Sequence, residues 1–521
     1  MENKNPVLTP KDFEFVNAGE RLHDKKFDDK PISYFKDAWL RFCRNRASIV
    51  ATVIIVLIIL YAFITPLIIN NYDSTFLDPY YAKNAPYVEE LEGLGLNGGR
   101  SITYNERAYI NMLAIGVGAE DKDGTGTLTL AEGQESKYAA LNELYSVGMD
   151  AGKTYYDTNV NTYMLVGFVY KQVSQQEYAK IVAWQEETGI QVLYPLIASN
   201  EYTFDSTDPN NANWWYKTNA KGAPVTANSK GKLKSADYSE DLILEDNYLR
   251  DSEGNVRYYR YIGGGNAESA EYQIRVLYYN YYIYSNGFKP CYILGTDSQG
   301  YDLALRMAKG IQLSLMIAVT VSVINFILGA AYGAVEGYYG GVVDILLERV
   351  SDILSGVPFI VVATLFQMHL AAKVGAIPSL LFAFVMTGWI GTASEVRTQF
   401  YRFKNQEYVM AARTLGARDR RIIWKHIFPN SLGTIITSSA LVIPGVIFSE
   451  SMLSFLGIVN LGGSKMTSLG TLLSDASTLW TVYPHLMLYP AIIISLLMIC
   501  FNLFGNGLRD AFNPSLRGTD E

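Results

Sequence analysis

The sequence predicts a polytopic α-helical membrane protein with six transmembrane helices and a large α+β domain inserted between the first and second of them. Three observations support this prediction. The 521 residues are 49% hydrophobic with a mean hydropathy of +0.07, which suits neither an ordinary soluble protein nor a chain lying wholly in a membrane. Uncharged runs of about 20 residues, enough to cross about 30 Å of hydrocarbon, recur along the chain. A long polar stretch, residues 70–305, separates the first run from the second.

The apolar runs define six predicted spans. They lie at residues 47–69, 310–335, 353–372, 374–394, 431–449 and 486–508. Only Lys373 separates the third run from the fourth, and the "GAIP" that follows favours a tight hairpin over one long interrupted helix. The first run has no small-residue cleavage site after it, so we expect a membrane helix rather than a removed signal peptide. Several glycines suit close helix packing near the inner end of the second span: Gly329, Gly333, Gly337, Gly340 and Gly341.

Lys and Arg residues predict the orientation and the domain boundaries. They crowd before the first span and between the fourth and fifth, so both regions and both termini are expected in the cytoplasm. Residues 1–46 then form a cytoplasmic segment whose part 32–46 has aromatic side chains on one helical face, as interfacial helices do. Residues 70–305 form the extracellular domain, residues 306–508 the helical core with a basic cytoplasmic loop at 395–430, and residues 509–521 a cytoplasmic tail.

The outer region accounts for the acidity of the chain. Residues 71–290 contain 29 acidic and 18 basic side chains, a net charge of −11, whereas the rest of the chain is net positive and the whole protein has −8. Nucleic acid is therefore not expected as a partner. The three cysteines fall in different compartments, which excludes an internal disulfide. Helices are predicted at 104–117, 133–147 and 174–189, and strands at 161–170, 191–198, 256–263 and 271–284. Its many tyrosines indicate either a partly polar core or a binding face.

One motif in the outer region fits a calcium loop. The stretch "DKDGTGTLTLAE", residues 121–132, has the twelve-residue spacing of an EF-hand, with a glycine at its sixth position. An acidic hairpin turn is the alternative, since Thr125 stands where Asp or Asn is usual and the sequence has no second EF-hand motif. Calcium would be structural and would take its ligands from Asp121, Asp123, Thr125, the backbone carbonyl of Thr127 and Glu132.

The basic loop has a pattern that topology alone does not explain. In "EYVMAARTLGARDRRIIWKHIFPN", residues 407–430, we expect one helix over 395–414, a turn at Gly416 and a second short helix that Pro429 ends. A cytoplasmic loop that only satisfies the positive-inside rule would need Lys and Arg residues. It would not need two adjacent alanines, a glycine at a fixed distance or the Pro-Asn at its end. Ala411 and Ala412 would allow another surface to approach closely, and Glu407 and Arg413 could hold its register.

These residues carry a resemblance to a known family. The pattern E-x3-A-A-x3-G, at Glu407, Ala411, Ala412 and Gly416, followed by I-x3-H-I-x-P-N at 423–430, resembles the coupling-loop signature of ABC importer permeases. In detail it is similar to the C-type permease subunit of dipeptide and oligopeptide importers. Residues 294–315, 337–361 and 502–514 agree with that subfamily, whereas the long insertion departs from it.

The resemblance implies a type I importer fold and a transport role. The coupling residues would be Glu407, Ala411, Ala412, Arg413 and Gly416, which would dock on a separate ATPase. The implied partners are a homologous second permease, two ATPase subunits and an extracellular substrate-binding lipoprotein, with a peptide as substrate, in the bacterial cell membrane. Related subunits carry nickel or other small solutes, so that alternative stays open.

No catalytic site or nucleotide site is expected in this chain. Its four histidines are scattered, and neither H-E-x-x-H nor G-x-S-x-G occurs. The stretch "VGMDAGKT", residues 147–154, matches only the end of a phosphate loop and has Val147 where the first glycine belongs. No cofactor is expected in the helical core. Charges predicted at the ends of the spans argue against a proton-coupled transporter. A membrane-anchored adhesion or sensor protein, acting through its outer domain, is the alternative from a different class.

Overall fold

The computed structural model describes residues 34–125, 128–197, 243–244, 248–264, 270–463 and 466–512. Within these ranges, five helices are long and apolar enough to cross a membrane: Arg46–Ile68, Leu303–Tyr339, Ala376–Phe403, Asp419–Phe455 and Pro484–Phe512. The pair Gly341–Ser355 and Phe359–His369, bent by 72°, can count as a sixth. Each predicted span therefore has a counterpart.

Two helices precede the inserted region, and the other membrane helices follow it. Helix α1, Tyr34–Arg44, packs its buried Ala38 and Phe42 inward, and the Phe42 ring meets Phe504 edge-on at 5.5 Å. Helix α2 is Arg46–Ile68, capped by the Asn45 side chain. After the inserted region come α7 (Leu303–Tyr339), α8 (Gly341–Ser355), α9 (Phe359–His369), α10 (Ala371–Val374), α11 (Ala376–Gly388) and α12 (Ile390–Phe403).

The remaining helices complete the membrane part. They are α13 (Glu407–Thr414), α14 (Asp419–Arg421), a π-helical segment (Ile422–Ile427), α15 (Phe428–Ala440), α16 (Val442–Phe455), α17 (Leu469–Ala476) and α18 (Pro484–Phe512). Their apolar core joins Ala51 and Ile58 of α2 with Ile317 of α7, Ile447 of α16 and Leu497 of α18. Helices from the two ends of the chain thus share one core.

The predicted third span differs from a straight helix. Gly356, Val357 and Pro358 separate α8 from α9, and the chain turns there through 72°. Proline lacks an N–H and its ring excludes the residue before it from helical geometry, so the break falls where the sequence places Pro358. The predicted hairpin at Lys373 is present, because α10 and the left-handed Gly375 connect α9 to α11.

The inserted region is an α+β domain, as predicted. Its strands are β1 (Gly99–Asn105), β2 (Leu128–Thr129), β3 (Leu141–Asp150), β4 (Lys153–Asn161), β5 (Phe168–Ser174), β6 (Leu193–Tyr194), β7 (Ile243–Leu244), β8 (Tyr259–Gly263) and β9 (Glu271–Leu277). One antiparallel sheet has the order β1-β4-β3, and another has β5-β9-β6 with β8 also paired to β9. Helices α3 (Glu106–Glu120), α4 (Leu130–Gln134), α5 (Gln175–Thr188) and α6 (Tyr278–Asn286) accompany the sheets.

Tyrosines build the core of this domain. Eight of the ten largest fully buried side chains of the described residues are tyrosines of this region, among them Tyr81, Tyr163 and Tyr292. The Tyr109 and Tyr156 rings stack with their centroids 4.3 Å apart. The tyrosine content was predicted to reflect either a partly polar core or a binding face, and the described structure supports the partly polar core.

Several predicted elements of this region were wrong in whole or part, among them the strand expected at 191–198, of which only Leu193–Tyr194 is a strand. The helix expected at 133–147 gives way to β3, which pairs with β4 across the two-residue turn of Ala151 and Gly152. Both turn residues have positive φ, +47° and +76°, as tight hairpin turns require, so "VGMDAGKT" is a hairpin and not a phosphate loop. The strand expected at 271–284 ends at Leu277 and continues as α6. The strand expected at 161–170 begins only at Phe168.

Tertiary packing explains the change at Leu277. The "YYNYYIY" run has strand-forming residues, but in helix α6 Tyr278, Tyr279 and Tyr282 turn to one side and are buried in the tyrosine core. Left-handed Gly287 then ends the helix. Burial of these three aromatic rings outweighs the intrinsic preference of these residues for β-strands, a scale that spans only about 1 kcal/mol.

The inserted domain is joined to the membrane helices at the start of α7. The side chain of Asp302 caps α7 by accepting from the Leu305 N–H at 3.1 Å, and it also accepts from the Tyr72 hydroxyl at 2.6 Å. Burial raises the pKa of the Asp302 carboxyl. Residues just after α2 and just before α7 therefore close the base of the insertion.

Candidate functional site

The predicted docking residues lie on one short hairpin. Helix α13 begins at Glu407 and ends at Thr414. The N–H of Gly416 donates to the Arg413 carbonyl at 3.0 Å, and the Ala417 N–H donates to the Ala412 carbonyl at 3.0 Å. Gly416 has φ +81°, a conformation that costs other residues about 1–2 kcal/mol, which explains the glycine at this position.

A buried cluster anchors the hairpin. Val409 is buried against Ile422, Ile423 and Ile427 of the segment that follows, together with Phe400 of α12. The Tyr338 hydroxyl of α7 donates to Asp419 Oδ1 at 2.6 Å, and the Arg413 guanidinium lies 5.8 Å from the Tyr338 ring centroid. The hairpin is therefore packed against the ends of α7 and α12.

The opposite side of the hairpin is exposed. Glu407, Ala411, Arg413 and Gly416 are exposed, and Ala412 is half-buried. Leu415, at the tip, is 88% exposed, and Met410 on the same helix is 50% exposed. An apolar side chain at the tip of a basic hairpin, next to small residues, gives a surface suited to contact with another protein.

Two predicted features of this loop were wrong. The helix expected over 395–414 is interrupted, because α12 ends at Phe403 and α13 begins at Glu407. Pro429 does not end the second helix, which continues to Phe455. The chain forms the wider π-helix over Ile422–Ile427, with the Phe428 N–H bonded to the Ile423 carbonyl five residues back. We infer that this widening accommodates the proline ring and its missing N–H, which an unbroken α-helix would not.

An ion-pair cluster beside the hairpin was not predicted. Arg397 of α12 donates to both oxygens of Asp344, at 2.6 and 2.9 Å, and to both oxygens of Glu348, at 2.9 and 3.0 Å. The Tyr401 hydroxyl donates to Asp344 at 2.7 Å. Bidentate pairs of this kind are the stronger type of salt bridge. They tie α12, which leads into the hairpin, to α8.

A buried carboxylate was also not predicted. The fifth predicted span stops at residue 449, but α16 continues to Phe455 and Glu450 is 1% exposed. It accepts from the hydroxyls of Ser314 at 2.9 Å and Ser454 at 3.1 Å. The expectation that charges stay at the ends of the spans was therefore wrong for this residue. Ser451 and Ser454, which lie close to Glu450 in the sequence, were the local signal that a buried carboxylate has partners, whereas Ser314 is brought to it by packing.

Comparison with known proteins identifies the family. Residues 329–518 match the family described as binding-protein-dependent transport system inner membrane component. Residues 33–86 match the N-terminal transmembrane domain of oligopeptide transport permease C. The oligopeptide transport system permease protein OppC of Bacillus subtilis (strain 168) is 39% identical over 223 residues, which cover 43% of this chain and 72% of that protein.

The chain belongs to this permease family. Similar values hold for the dipeptide transport system permease protein DppC of Bacillus subtilis, 40% identical over 43% of this chain and 68% of the relative. OppC of Haemophilus influenzae is 41% identical over 43% of this chain and 71% of the relative. The MetNI methionine ABC transporter in an inward-facing form matches 40% of this chain and 96% of its own at 14% identity, but its TM-score of 0.33 is too low to support an argument.

Family membership establishes several of the predictions. This permease subunit of an ABC importer is an integral protein of the bacterial cell membrane and has the type I importer fold. It is not an enzyme, and ATP hydrolysis belongs to separate subunits. The adhesion or sensor alternative has no support. Residues 87–328, which include most of the insertion, lie in neither family match.

The calcium loop of this permease stays a prediction. Asp121 Oδ1 accepts from the backbone N–H and the hydroxyl of Thr125, at 2.8 and 2.9 Å, which closes a turn. Thr127 lies outside the described residues. Among the described residues, no three acidic, His or Cys side chains stand close enough together to hold a metal, so Asp121, Asp123 and Glu132 are not gathered. The helix expected after the loop was wrong, since only α4 precedes β3.

Proposed function

We propose that this permease is the C-type subunit of an ATP-driven importer of oligopeptides or dipeptides and forms half of its translocation pathway. The identity of 39–41% to oligopeptide and dipeptide permeases, over 68–72% of their lengths, carries the proposal. A role in nickel or other small-solute transport was the alternative within the family, and no observation favours it.

The α13 hairpin is proposed as the docking site for an ATPase subunit. Its exposed tip, at Leu415 and Gly416, would enter a groove of the ATPase, and Glu407 and Arg413 would hold the register. Because Val409 and Arg397 tie the hairpin to α12 and α8, movement of the ATPase would reach the membrane helices. The proposed assembly contains a homologous second permease, two ATPase subunits and a substrate-binding lipoprotein, with both termini in the cytoplasm.

The inserted domain lies where a binding protein would deliver substrate, if residues 70–305 are extracellular. We propose that it retains or scaffolds that protein, or shields the mouth of the pore. Its contacts with the start of α7 and α18 support this role. The Arg306 guanidinium lies 3.6 Å from Asp297, and Arg100 lies 4.8 Å from the ring centroid of Tyr483, just before α18.

The Gly416→Leu substitution tests the coupling role. Its Cβ would meet no atom within 4 Å, but φ +81° strains any side chain there and a bulky group would occupy the docking surface. We expect the variant to lose co-purification with the ATPase and peptide uptake, while the permease itself still folds. Co-purification and uptake in vesicles are the measurements.

Gly189→Leu is the matched control. Gly189 ends α5 of the inserted domain with φ +70° and also has open space around its Cβ. It should suffer similar backbone strain without affecting ATPase association. Retained association and uptake in Gly416→Leu would contradict the coupling role.

A further inference from the structure

The inserted domain contains a cavity that the permease family does not account for. Its volume is about 600 Å³, within the range of about 300–1,000 Å³ usual for small-molecule sites. Buried Tyr87, Met164 and Tyr279 form its apolar wall. The cavity lies among residues 87–289 and therefore belongs to the insertion rather than to the membrane helices.

Two buried amides, Asn161 and Asn280, line this cavity, and their hydrogen bonds within the protein use opposite groups. The Asn161 Oδ1 accepts from the backbone N–H groups of Tyr163 and Met164, at 3.0 and 3.3 Å, so its Nδ2 is the group that can donate to a ligand. Asn280 Nδ2 donates to the Gln191 carbonyl at 2.6 Å and to the Tyr138 hydroxyl at 3.0 Å, so its Oδ1 can accept. Asn161 is 7% exposed and Asn280 is 1% exposed. One donor and one acceptor match the C=O and N–H of a peptide group.

Charged groups of both signs line the same cavity. Glu89 and Glu92 contribute two negative charges, and Lys137 and Lys289 two positive charges. Lys289 Nζ donates to Glu89 at 2.9 Å, with the two side chains 57% and 41% exposed. An exposed ion pair contributes little to stability, so its members can be redirected to a ligand at small cost. The charges sum to zero, which suits a zwitterion better than an anion or a cation.

We propose that this cavity binds a short peptide with free termini. Asn161 and Asn280 would hydrogen-bond one peptide group, Lys289 or Lys137 would bind the terminal carboxylate, and Glu89 or Glu92 the terminal ammonium. The apolar wall would receive a side chain. This inference rests on the proposed function, since it makes the permease chain itself a first contact for the imported substrate.

The cavity wall is connected to the start of helix α7. Tyr87 and Tyr292 exchange two backbone hydrogen bonds of 2.9 Å each. The Thr296 N–H then bonds to the Asn84 carbonyl at 3.1 Å, and α7 begins at Leu303. A peptide bound against Tyr87 would thus lie on the segment that leads directly into the first helix of the core.

Calorimetric titration of the full chain, purified in detergent without its partners, tests the proposal. The probe is trialanine, and the comparison ligand is trialanine acetylated at its N-terminus and amidated at its C-terminus. We expect trialanine to bind and the blocked peptide to bind at least ~10-fold more weakly, because blocking the termini removes the hydrogen bonds that are assisted by charge. No trialanine binding, or equal binding of both ligands, overturns the proposal.

Three variants locate the site. Asn161→Asp keeps the acceptor for Tyr163 and Met164 but removes the donor, and Lys289→Gln and Glu89→Gln each remove one charge. Each variant should weaken trialanine binding at least ~10-fold, because each removes a group that would hydrogen-bond the peptide. The control is Lys180→Ala, which breaks an exposed ion pair with Glu177 on α5 and should leave trialanine binding unchanged. Unchanged binding in all three overturns the proposal, provided that their melting temperatures match that of the unaltered chain.

Peptide uptake by the assembled importer is measured in parallel and separates this proposal from the proposed function. If the assembled importer takes up peptide but the isolated chain does not bind trialanine, the peptide site in the cavity is rejected and the transport role is retained. Binding without any peptide uptake supports the cavity and rejects the transport role.

Discussion

Glu450 shows how a single residue can depart from the rule that membrane helices exclude charge. A carboxylate buried without partners costs several kcal/mol, so the hydroxyls of Ser314 and Ser454 are needed to keep it in α16. Ser314 belongs to α7, and Glu450 therefore connects two helices that are distant in sequence. At this scale, a buried polar group indicates a specific contact between helices.

Replacing Glu450 tests that contact. Glu450→Ala should destabilise the permease by about 2–4 kcal/mol, because it leaves a cavity and removes the acceptor for two buried hydroxyls. Glu450→Gln should retain most of the stability, since its amide can bond to the same hydroxyls. Thermal unfolding in detergent is the measurement.

The control is Asp352→Ala, which removes an exposed pair with Arg349. It should change stability by less than about 1 kcal/mol. If Glu450→Ala melts like this control, the buried network does not stabilise the helices.

At the scale of elements, the contact of α7 with α12 depends on glycine. A Cβ at Gly333 would stand 2.2 Å from the Ala393 carbonyl oxygen, and those at Gly329 and Gly337 would be 2.7 Å from atoms of the same helix. The predicted role of these three residues in close packing is confirmed. The prediction of close packing was wrong for Gly341, where a Cβ would meet nothing within 4 Å.

The substitution Gly333→Ala should separate these helices. Even the smallest side chain meets backbone atoms, which cannot turn aside, so α12 must shift together with the hairpin attached to it. We expect a lower melting temperature and reduced ATP-driven uptake.

Gly391→Ala, on α12 itself, is the matched control. It has no atom within 4 Å of its Cβ and should stabilise its helix by up to about 1 kcal/mol. A Gly333→Ala variant as stable and active as Gly391→Ala would contradict the packing account.

Local sequence predicted these elements unevenly. The α3 and α5 helices were located to within a few residues, because both have an N-cap side chain, at Asn105 and Ser174. The β3 strand and the α6 helix were missed, since their conformation depends on pairing with β4 and on burial of tyrosine rings. The Ala151–Gly152 turn was the local signal that would have corrected β3.

At the scale of the whole molecule, some of the contacts that close the base of the insertion do not involve the rest of the domain. The Tyr72 hydroxyl lies within hydrogen-bond distance of two acceptors, Asp302 at 2.6 Å and the Cys291 carbonyl at 2.9 Å. All three residues lie outside 75–285, so a chain lacking that segment keeps the cap of α7. The deletion does remove the pairing of Tyr292 with Tyr87 and of Thr296 with Asn84, so assembly of the shortened chain has to be measured alongside its function.

Deletion of residues 75–285 tests the role of the insertion. We expect the shortened permease to assemble with its partners but to show weaker affinity for the binding protein and slower peptide uptake. ATPase co-purification serves as the control for folding. Unchanged uptake together with unchanged binding-protein affinity would contradict the proposed role.

The sequence by itself determined the class of the protein, its predicted spans and its family, because apolar length and a short local motif are properties of consecutive residues. It also located the hairpin residues Glu407, Ala411, Ala412, Arg413 and Gly416, whose pattern is local. Only the tertiary structure decided that Arg397 pairs with Asp344 and Glu348, that Ser314 meets Glu450, and that Asn161 and Asn280 line one cavity. Each of these contacts joins residues more than 45 positions apart. Such pairs form when helices and sheets pack, and no local pattern of residues specifies them.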